Sequence, residues 1–311
     1  MGFSAVIDLG TNTFRLLIAE VDENGIKPVH SENKIARLGE GFSQEKRFRP
    51  SAMERAMRIL GSFKNTLDRH PIQHLSVVGT SAFREAENRA SLLLSIKENL
   101  GLSVEIIRGE EEAHYTFLGA NLILQNQTGP MMLVDIGGGS TEFIMMEGAT
   151  PRWIISAPLG VVALTERHLQ GEITTREACN ALQKEIEEII RAHLTEFPQN
   201  ARFAGTAGTF TTLAAMDQEM KMYDPDKING YPLSKAAIEA ILVRLLPLSR
   251  QERCLIPGLE KGREDLIISG IIIILTLMGL CHFNTVTVSD YGLREGVLID
   301  RYRKAVIKGM G

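Results

Sequence analysis

Short runs of aliphatic and β-branched residues alternate with longer stretches of helical spacing, and their order predicts the elements before any chemistry is considered. Ala5 to Ile7 is an unbroken apolar run, as in a strand buried on both faces. TFRLLIAEV from Thr13 predicts a second strand, and a turn at Asp22 to Gly25 leads into a third, IKPVH. Apolar side chains recur at helical intervals over residues 50 to 69, behind Pro50 and Ser51, so a helix is predicted there. A strand at Leu75 to Val78, a helix over 92 to 100, a strand at Val104 to Ile107 and a helix opening at Gly109 follow. The second half repeats the alternation. Strands are predicted at Met132 to Val134, Thr141 to Met146 and Trp153 to Ser156, and a charged amphipathic helix over 175 to 195. A short strand then runs into G-T-A-G-T at Gly205 to Thr209. Helices are predicted over 234 to 246, 249 to 256 and 266 to 280, with a last strand over 286 to 290 and a terminal helix. Strands and helices in alternation predict an α/β fold.

One stretch occurs twice. Asp8 to Ile18, DLGTNTFRLLI, aligns without a gap on Asp135 to Met145, DIGGGSTEFIM, so that Asp8 falls on Asp135, Gly10 on Gly137 and Thr13 on Ser140. Each copy follows one apolar strand and leads into another, which predicts two related domains that each offer a polar turn to one cleft. The first spans 1 to 124 and is joined by the terminal helix 297 to 311; the second spans 125 to 296. Glycine lets a backbone approach a ligand closely, and successive inward N–H groups form an anion-binding nest. Gly137, Gly138 and Gly139 therefore make a candidate phosphate cradle. An aspartate cannot face phosphate favourably without a cation, so Asp135 at the strand end points to a Mg²⁺ or a bound water between carboxylate and phosphate.

Composition narrows the setting. The 311 residues carry 44% hydrophobic side chains and a net charge of -4, so a polyanion would have to be held by local basic groups rather than by overall charge. No nucleic-acid partner is expected. Cys179, Cys254 and Cys281 are scattered and odd in number, which fits structural thiols in a reducing compartment. With no secretory signal at the start, a cytoplasmic protein is expected. The apolar run Leu266 to Cys281 contains Ser269, Gly270, Thr276 and Gly279 and is short for a membrane span, so it reads as a buried helix, with no membrane partner. No zinc spacing appears among the histidines, and neither G-x-x-x-x-G-K-[ST] nor G-x-S-x-G is present.

Other polar clusters have two readings each. Thr11, Asn12 and Thr13 supply hydroxyl and amide groups at the first turn, and Arg15 faces either a carboxylate or the ligand. KIARLGEG, from Lys34 to Gly41, reads as a solvated connection. Thr80 and Ser81 serve equally as helix caps or as an anion site, and Arg84 favours the second because guanidinium matches phosphate oxygens in pairs. Glu110, Glu111 and Glu112 suit the first turn of a helix through its macrodipole, while one of them could hold an attacking water.

In order, these motifs resemble those of the exopolyphosphatase and guanosine pentaphosphate phosphohydrolase (Ppx/GppA) family. They are DLGTNTFRLLIAE at 8 to 20, KIARLGEG at 34 to 41, GTSAFREAENR at 79 to 89, RGEEEAHYTFLG at 108 to 119, VDIGGGSTEF at 134 to 143, SAPLGVVALTERH at 156 to 168 and AGTAGTFTTLAA at 204 to 215, with GREDLIISG and VSDYGLREG near the end. The resemblance implies an α/β fold of two ribonuclease-H-like domains of the actin-like ATPase superfamily with a cleft between them. It implies phosphate contacts at Gly10, Asn12, Thr13, Gly137, Gly138, Gly139 and Ser140, beside which Thr11 and Arg15 are candidates by their place at the first turn, and metal contacts at Asp8 and Asp135. Mg²⁺ is the implied cofactor, with another divalent ion or a monovalent cation as alternatives. It matches the family's base to Glu112, with Glu142 as a further catalytic carboxylate and Arg84 near the polyanion. Arginine commonly follows the base motif in the family, where this chain has His114. Longer members continue into a helical metal-phosphohydrolase-type domain for which this sequence has no room, so a second subunit, in a homodimer, is one way to complete a channel for very long chains.

The implied activity is release of terminal orthophosphate from inorganic polyphosphate. Hydrolysis of pppGpp in the same cleft is the alternative enzyme, a noncatalytic polyphosphate or nucleotide sensor the alternative of another class, and an ATP-dependent kinase a weaker one.

Overall fold

The computed structural model describes residues 2–125, 129–148, 150–194, 197–198 and 200–309, with Ser43, Gln44, Lys308 and Gly309 by backbone alone. The ends of two expected helices, at Thr195 and at Met310 and Gly311, lie outside the described residues. Two units divide the chain, Met1–Leu122 with Gly292–Gly311, and Ile123–Tyr291.

In the first unit, β1 (Phe3–Leu9), β2 (Thr13–Asp22) and β3 (Gly25–Ile35) are joined by tight turns, and the Asp22 carboxylate accepts the N–H groups of Asn24 and Gly25. Then come α1 (Phe42–Glu45), α2 (Pro50–Leu67), β4 (Ile72–Gly79), α3 (Ser81–Glu85), α4 (Arg89–Leu100), β5 (Glu105–Ile106) and α5 (Gly109–Leu124). The sheet order is β3-β2-β1-β4-β5, with β2 antiparallel to its neighbours and β4 and β5 parallel to β1. This is the ribonuclease-H-like arrangement. Period-two alternation sends Ala5, Ile7 and Leu9 to the core under α2 and α4, where Ala52, Ala56, Leu60 and Phe63 meet them. Val6, Leu17, Ala19 and Val78 face the other way, toward Ile107 and Tyr115. Asp8 shares that second face by the same alternation.

The second unit repeats the plan with β6 (Pro130–Ile136), β7 (Thr141–Glu147), β8 (Thr150–Ala157), α6 (Val161–His168), α7 (Arg176–His193), β9 (Arg202–Thr206) and α8 (Ala207–Asp217). After α9 (Pro225–Ile228), β10 (Pro232–Ser234), α10 (Lys235–Leu245), α11 (Arg250–Arg253), α12 (Ile267–Leu280) and β11 (Thr285–Val288), the sheet reads β10-β11-β9-β6-β7-β8. Taken from β8 to β11 it has the first sheet's order, with β10 added at the edge. The apolar run at 266 to 281 is α12, buried against α7, α10 and α6. Among the described residues no helix is long and apolar enough to cross a membrane.

The terminal α13 (Leu293–Gly309) packs Leu293, Val297 and Leu298 over the second face of the first sheet. A Cβ on Gly296 would lie 1.7 Å from Tyr115 O and one on Gly119 would lie 2.0 Å from Gly292 O, so α13 and α5 meet backbone to backbone. The helix expected over 249 to 256 is shorter, because the capping box of Ser249 and Glu252 starts a single turn and the chain leaves it at Cys254. The 34 to 41 segment departs further from expectation. It is not a solvated connection: Ala36, Leu38 and Gly39 are buried, and its amides bond to the first polar turn.

Candidate active site

All three parallel strands of the first unit run toward one end, and each is followed by a polar connection, as in open α/β sheets that bind ligands beyond their carboxyl ends. The first connection is the turn from Gly10 to Asn12. Gly10 N–H donates to Thr13 O at 3.2 Å, and a Cβ at Gly10 would stand 2.7 Å from that oxygen, which restricts the position to glycine. Asp8, Thr11, Asn12 and Thr13 are each only 6% exposed. Thr11 Oγ1 is buried without a hydrogen-bond partner among the described residues. Buried hydroxyls are normally satisfied, so this one has a hydrogen bond to offer a water or a ligand oxygen. Arg15 stands opposite Asp8 across β1 and β2, on the same face.

The second and third connections bring Arg84 and Glu112 together. Gly79 leads β4 into α3, whose N-cap Thr80 makes no side-chain capping bond. Arg84, one turn on, donates through Nη1 to Glu112 Oε2 at 2.6 Å and to Ile107 O at 3.0 Å. The Glu112 side chain is 12% exposed. The neighbouring acids differ. Glu111 Oε2 accepts the Arg108 N–H at 2.9 Å and its Nε at 3.2 Å, so it caps α5, and those bonds hold its carboxyl below the usual range. Glu110 is exposed, and so is His114. Of the three acids, only Glu112 is turned toward Arg84.

In the second unit the turn from Gly137 to Gly139 repeats the geometry of the first. Gly137 N–H donates to Ser140 O at 2.9 Å, and a Cβ there would stand 2.9 Å from the same oxygen. Asp135 pairs with Glu142 across β6 and β7 as Asp8 pairs with Arg15, so one register position carries opposite charges in the two copies. Glu142 is buried, and its Oε1 accepts the Ser156 hydroxyl at 2.8 Å.

The structure also extends the repeat beyond what the sequence revealed. A Leu-Gly pair follows the third strand in both copies. Gly39 N–H donates to Thr11 O at 2.8 Å, and Val161 and Val162 N–H donate to Gly137 O and Gly138 O at 3.2 and 3.0 Å. The signal was present, as Leu38-Gly39 and Leu159-Gly160, but a dipeptide is too short to stand out without the sheets to align it. At the end of the fourth strand, Gly79 and Gly205 both lie against a phenylalanine, Phe83 or Phe210. After the fifth, Glu111 caps Arg108 N–H and Glu295 caps Gly292 N–H at 2.9 Å each. Glu112 then falls on Gly296, so the candidate base exists in one copy alone.

The donor set can be tested for a metal. Among the described residues no three His, Cys, Asp or Glu side chains converge as a cage. Mg²⁺ is commonly bound by one or two carboxylates, with waters and substrate phosphates completing its shell. Asp8 in the first unit and Asp135 in the second, each a single carboxylate at the mouth of a polar turn, each have the chemistry for an ion held in that way.

The Ppx/GppA phosphatase family model matches residues 17–305. Exopolyphosphatase 2 of Mycobacterium tuberculosis is 33% identical over 310 residues, 95% of this chain and 97% of that protein. The crystal structure of an exopolyphosphatase-like protein matches with a TM-score of 0.92 at 31% identity, covering 98% of this chain and 99% of that one. A Ppx/GppA enzyme of Aquifex aeolicus matches with a TM-score of 0.80 at 30% identity, covering 96% and 99%.

Proposed function

The chain belongs to the Ppx/GppA phosphatase family and is a phosphoanhydride hydrolase, and on that premise we propose that it releases terminal orthophosphate from inorganic polyphosphate. The observation that carries the reading is the Arg84–Glu112 pair at 2.6 Å, beside a buried, glycine-restricted turn in the same unit. Glu112 orients water and takes its proton as the water attacks the terminal phosphorus. Arg84 keeps that carboxylate aimed in the resting protein, and its guanidinium is drawn to phosphate oxygens as charge builds there. In each unit, amides and hydroxyls of the turn, residues 10 to 13 in one and 137 to 140 in the other, are the groups to receive phosphate oxygens, and Glu142, fixed by Ser156, is the further carboxylate of the second unit. The leaving group is itself a phosphate chain, so no strong protein acid is required. A divalent ion would neutralise phosphate charge when bound, and Asp8 in the first unit and Asp135 in the second are each a carboxylate that would hold one.

The substitution E112Q is expected to keep polyphosphate binding and to lower orthophosphate release by at least about 100-fold, within the usual contribution of a general base. Near-wild-type turnover in E112Q would sink the assignment. Orthophosphate release with divalent metal should be compared on long polyphosphate, short polyphosphate, pppGpp and ATP. A higher kcat/KM on pppGpp would move the substrate to that nucleotide, and stoichiometric binding without release would make the protein a sensor.

A further inference from the structure

The loop after β3 holds an arginine in a conformation that suits glycine or asparagine better. Arg37 has φ 44, in the left-handed region that suits glycine and strains other residues. Its N–H and that of Ala36 both donate to Asn12 O at 2.8 Å, so the residue is tied by its backbone to the first phosphate turn. From the other side, Arg55 donates to the carbonyls of Ala36 and Arg37, the latter at 3.0 Å. Arg55 and Arg49 in turn share the carboxylate of Glu40, at 3.1 and 3.9 Å.

The second unit provides an internal control. Ala157-Pro158-Leu159-Gly160 stands where Ala36-Arg37-Leu38-Gly39 stands, after the third strand and against the glycine turn. Proline fixes φ at about −65°, so that segment passes position 158 with no left-handed residue and reaches its turn through Val161 and Val162 N–H instead. Pro158 has no N–H and makes no such bond to its turn, so the left-handed backbone at position 37 goes with the bonds to Asn12 O, bonds that a glycine or asparagine there would make with less strain. Strained residues persist where function retains them, and gather at ligand sites. What arginine brings to position 37 that glycine or asparagine would not is a guanidinium.

Strand order gives this group a direction. Arg37 follows β3, on one side of β1, while Arg84 and Glu112 follow β4 and β5 on the other. Building on the hydrolase reading, we infer that Arg37 is a substrate-binding residue that grips phosphates of the chain distal to the one being cleaved, pairing its fork with their oxygens. The polyanion then runs from the Arg84–Glu112 side, across the turn at residues 10 to 13, toward the arginine-clasped loop, and Arg37 selects for longer chains.

The test compares R37G, which relieves the left-handed strain and removes the charge, with R37N, which tolerates that conformation and is neutral, and R37K. For R37G and R37N, kcat/KM on long-chain polyphosphate should fall at least tenfold, through KM more than kcat, and the loss on pyrophosphate should be several-fold smaller. R37K should recover part of it. Thermal unfolding should find R37G no less stable than wild type. Wild-type kcat/KM on long chains in R37G, or equal losses on long chains and pyrophosphate, would overturn the inference. Calorimetric titration of wild type and R37G with long-chain polyphosphate separates this claim from the hydrolase reading. Tenfold weaker binding by R37G upholds the inference even if wild type releases no phosphate, and equal affinity overturns it whatever the turnover.

Discussion

Gly39 and Gly160 occupy the same place in the two copies, yet their surroundings give them different tolerances. A Cβ on Gly39 would come 2.3 Å from Thr11 Cγ2, a side-chain methyl, whereas one on Gly160 would come 2.4 Å from Gly138 O and Gly139 Cα, both backbone. G39A is therefore expected to destabilise the protein by roughly 1–3 kcal/mol through overpacking. The double variant G39A/T11S should recover most of that, since serine removes the methyl and keeps the hydroxyl. Denaturant unfolding of the single and double variants checks this, and absence of recovery would mean that the turn, not the methyl, is what G39A disturbs. The same residues mark where sequence reading reached its limit. Glycines and aspartates of the turns were legible because a gapless repeat carried them. Which acid of Glu110 to Glu112 turns inward was not, because all three suit a helix N-terminus equally, and only the cap at Glu111 and the contact with Arg84 separate them.

Among the elements, β3 was the least legible. It is an edge strand whose exposed positions blur its alternation, and the following loop looked solvated. A polar cluster fastens it to α2. Glu32 receives Thr66 Oγ1 at 2.9 Å and Lys34 Nζ at 3.0 Å, and lies 2.7 Å from His30 Nε2. Burial pushes this carboxyl up, but the bonds from His30, Lys34 and Thr66 outweigh it and bring it down to about 2 from the ordinary 4.5. A folded-state value below the unfolded one stabilises the protein above pH 4.5, and that contribution is lost as pH falls from 4.5 toward 2. Relative to wild type, E32Q should lose about 1–2 kcal/mol at pH 7, allowing for partial solvent screening. The gap should close as pH falls through that window. Urea unfolding at pH 7, 4 and 3 follows it, and a pH-independent gap would assign Glu32 a packing role instead. Because β3 leads directly into the loop that bears Arg37, this cluster also steadies a residue assigned to the substrate.

At the scale of the whole molecule, the chain enters the second unit at Ile123 and leaves it at Tyr291, so that unit is one continuous stretch inserted into a first unit made of two. Its large core draws on residues between Met132 and Val288 and asks nothing of the rest of the chain. The first unit differs. One face of its sheet is closed by α2 and α4, but the other needs Leu293, Val297 and Leu298 of α13 over Val6, Leu17, Ala19 and Val78. Each fully buried aliphatic side chain is worth roughly 1.5–3 kcal/mol, so three of them approach the net stability of a small domain. A fragment spanning residues 123–291 should therefore unfold cooperatively by circular dichroism, whereas 1–122 alone should lack a cooperative transition. Adding a peptide of residues 292–309 to 1–122 should restore one. If 1–122 unfolds cooperatively by itself, α13 is dispensable to the sheet, and the backbone contact of Gly296 with Tyr115 would have to be explained by the helix that carries Glu112 rather than by the core. The sequence hinted at this return of the terminal helix, but the glycines that let α13 lie directly on α5 acquire meaning only once the two helices are seen to cross.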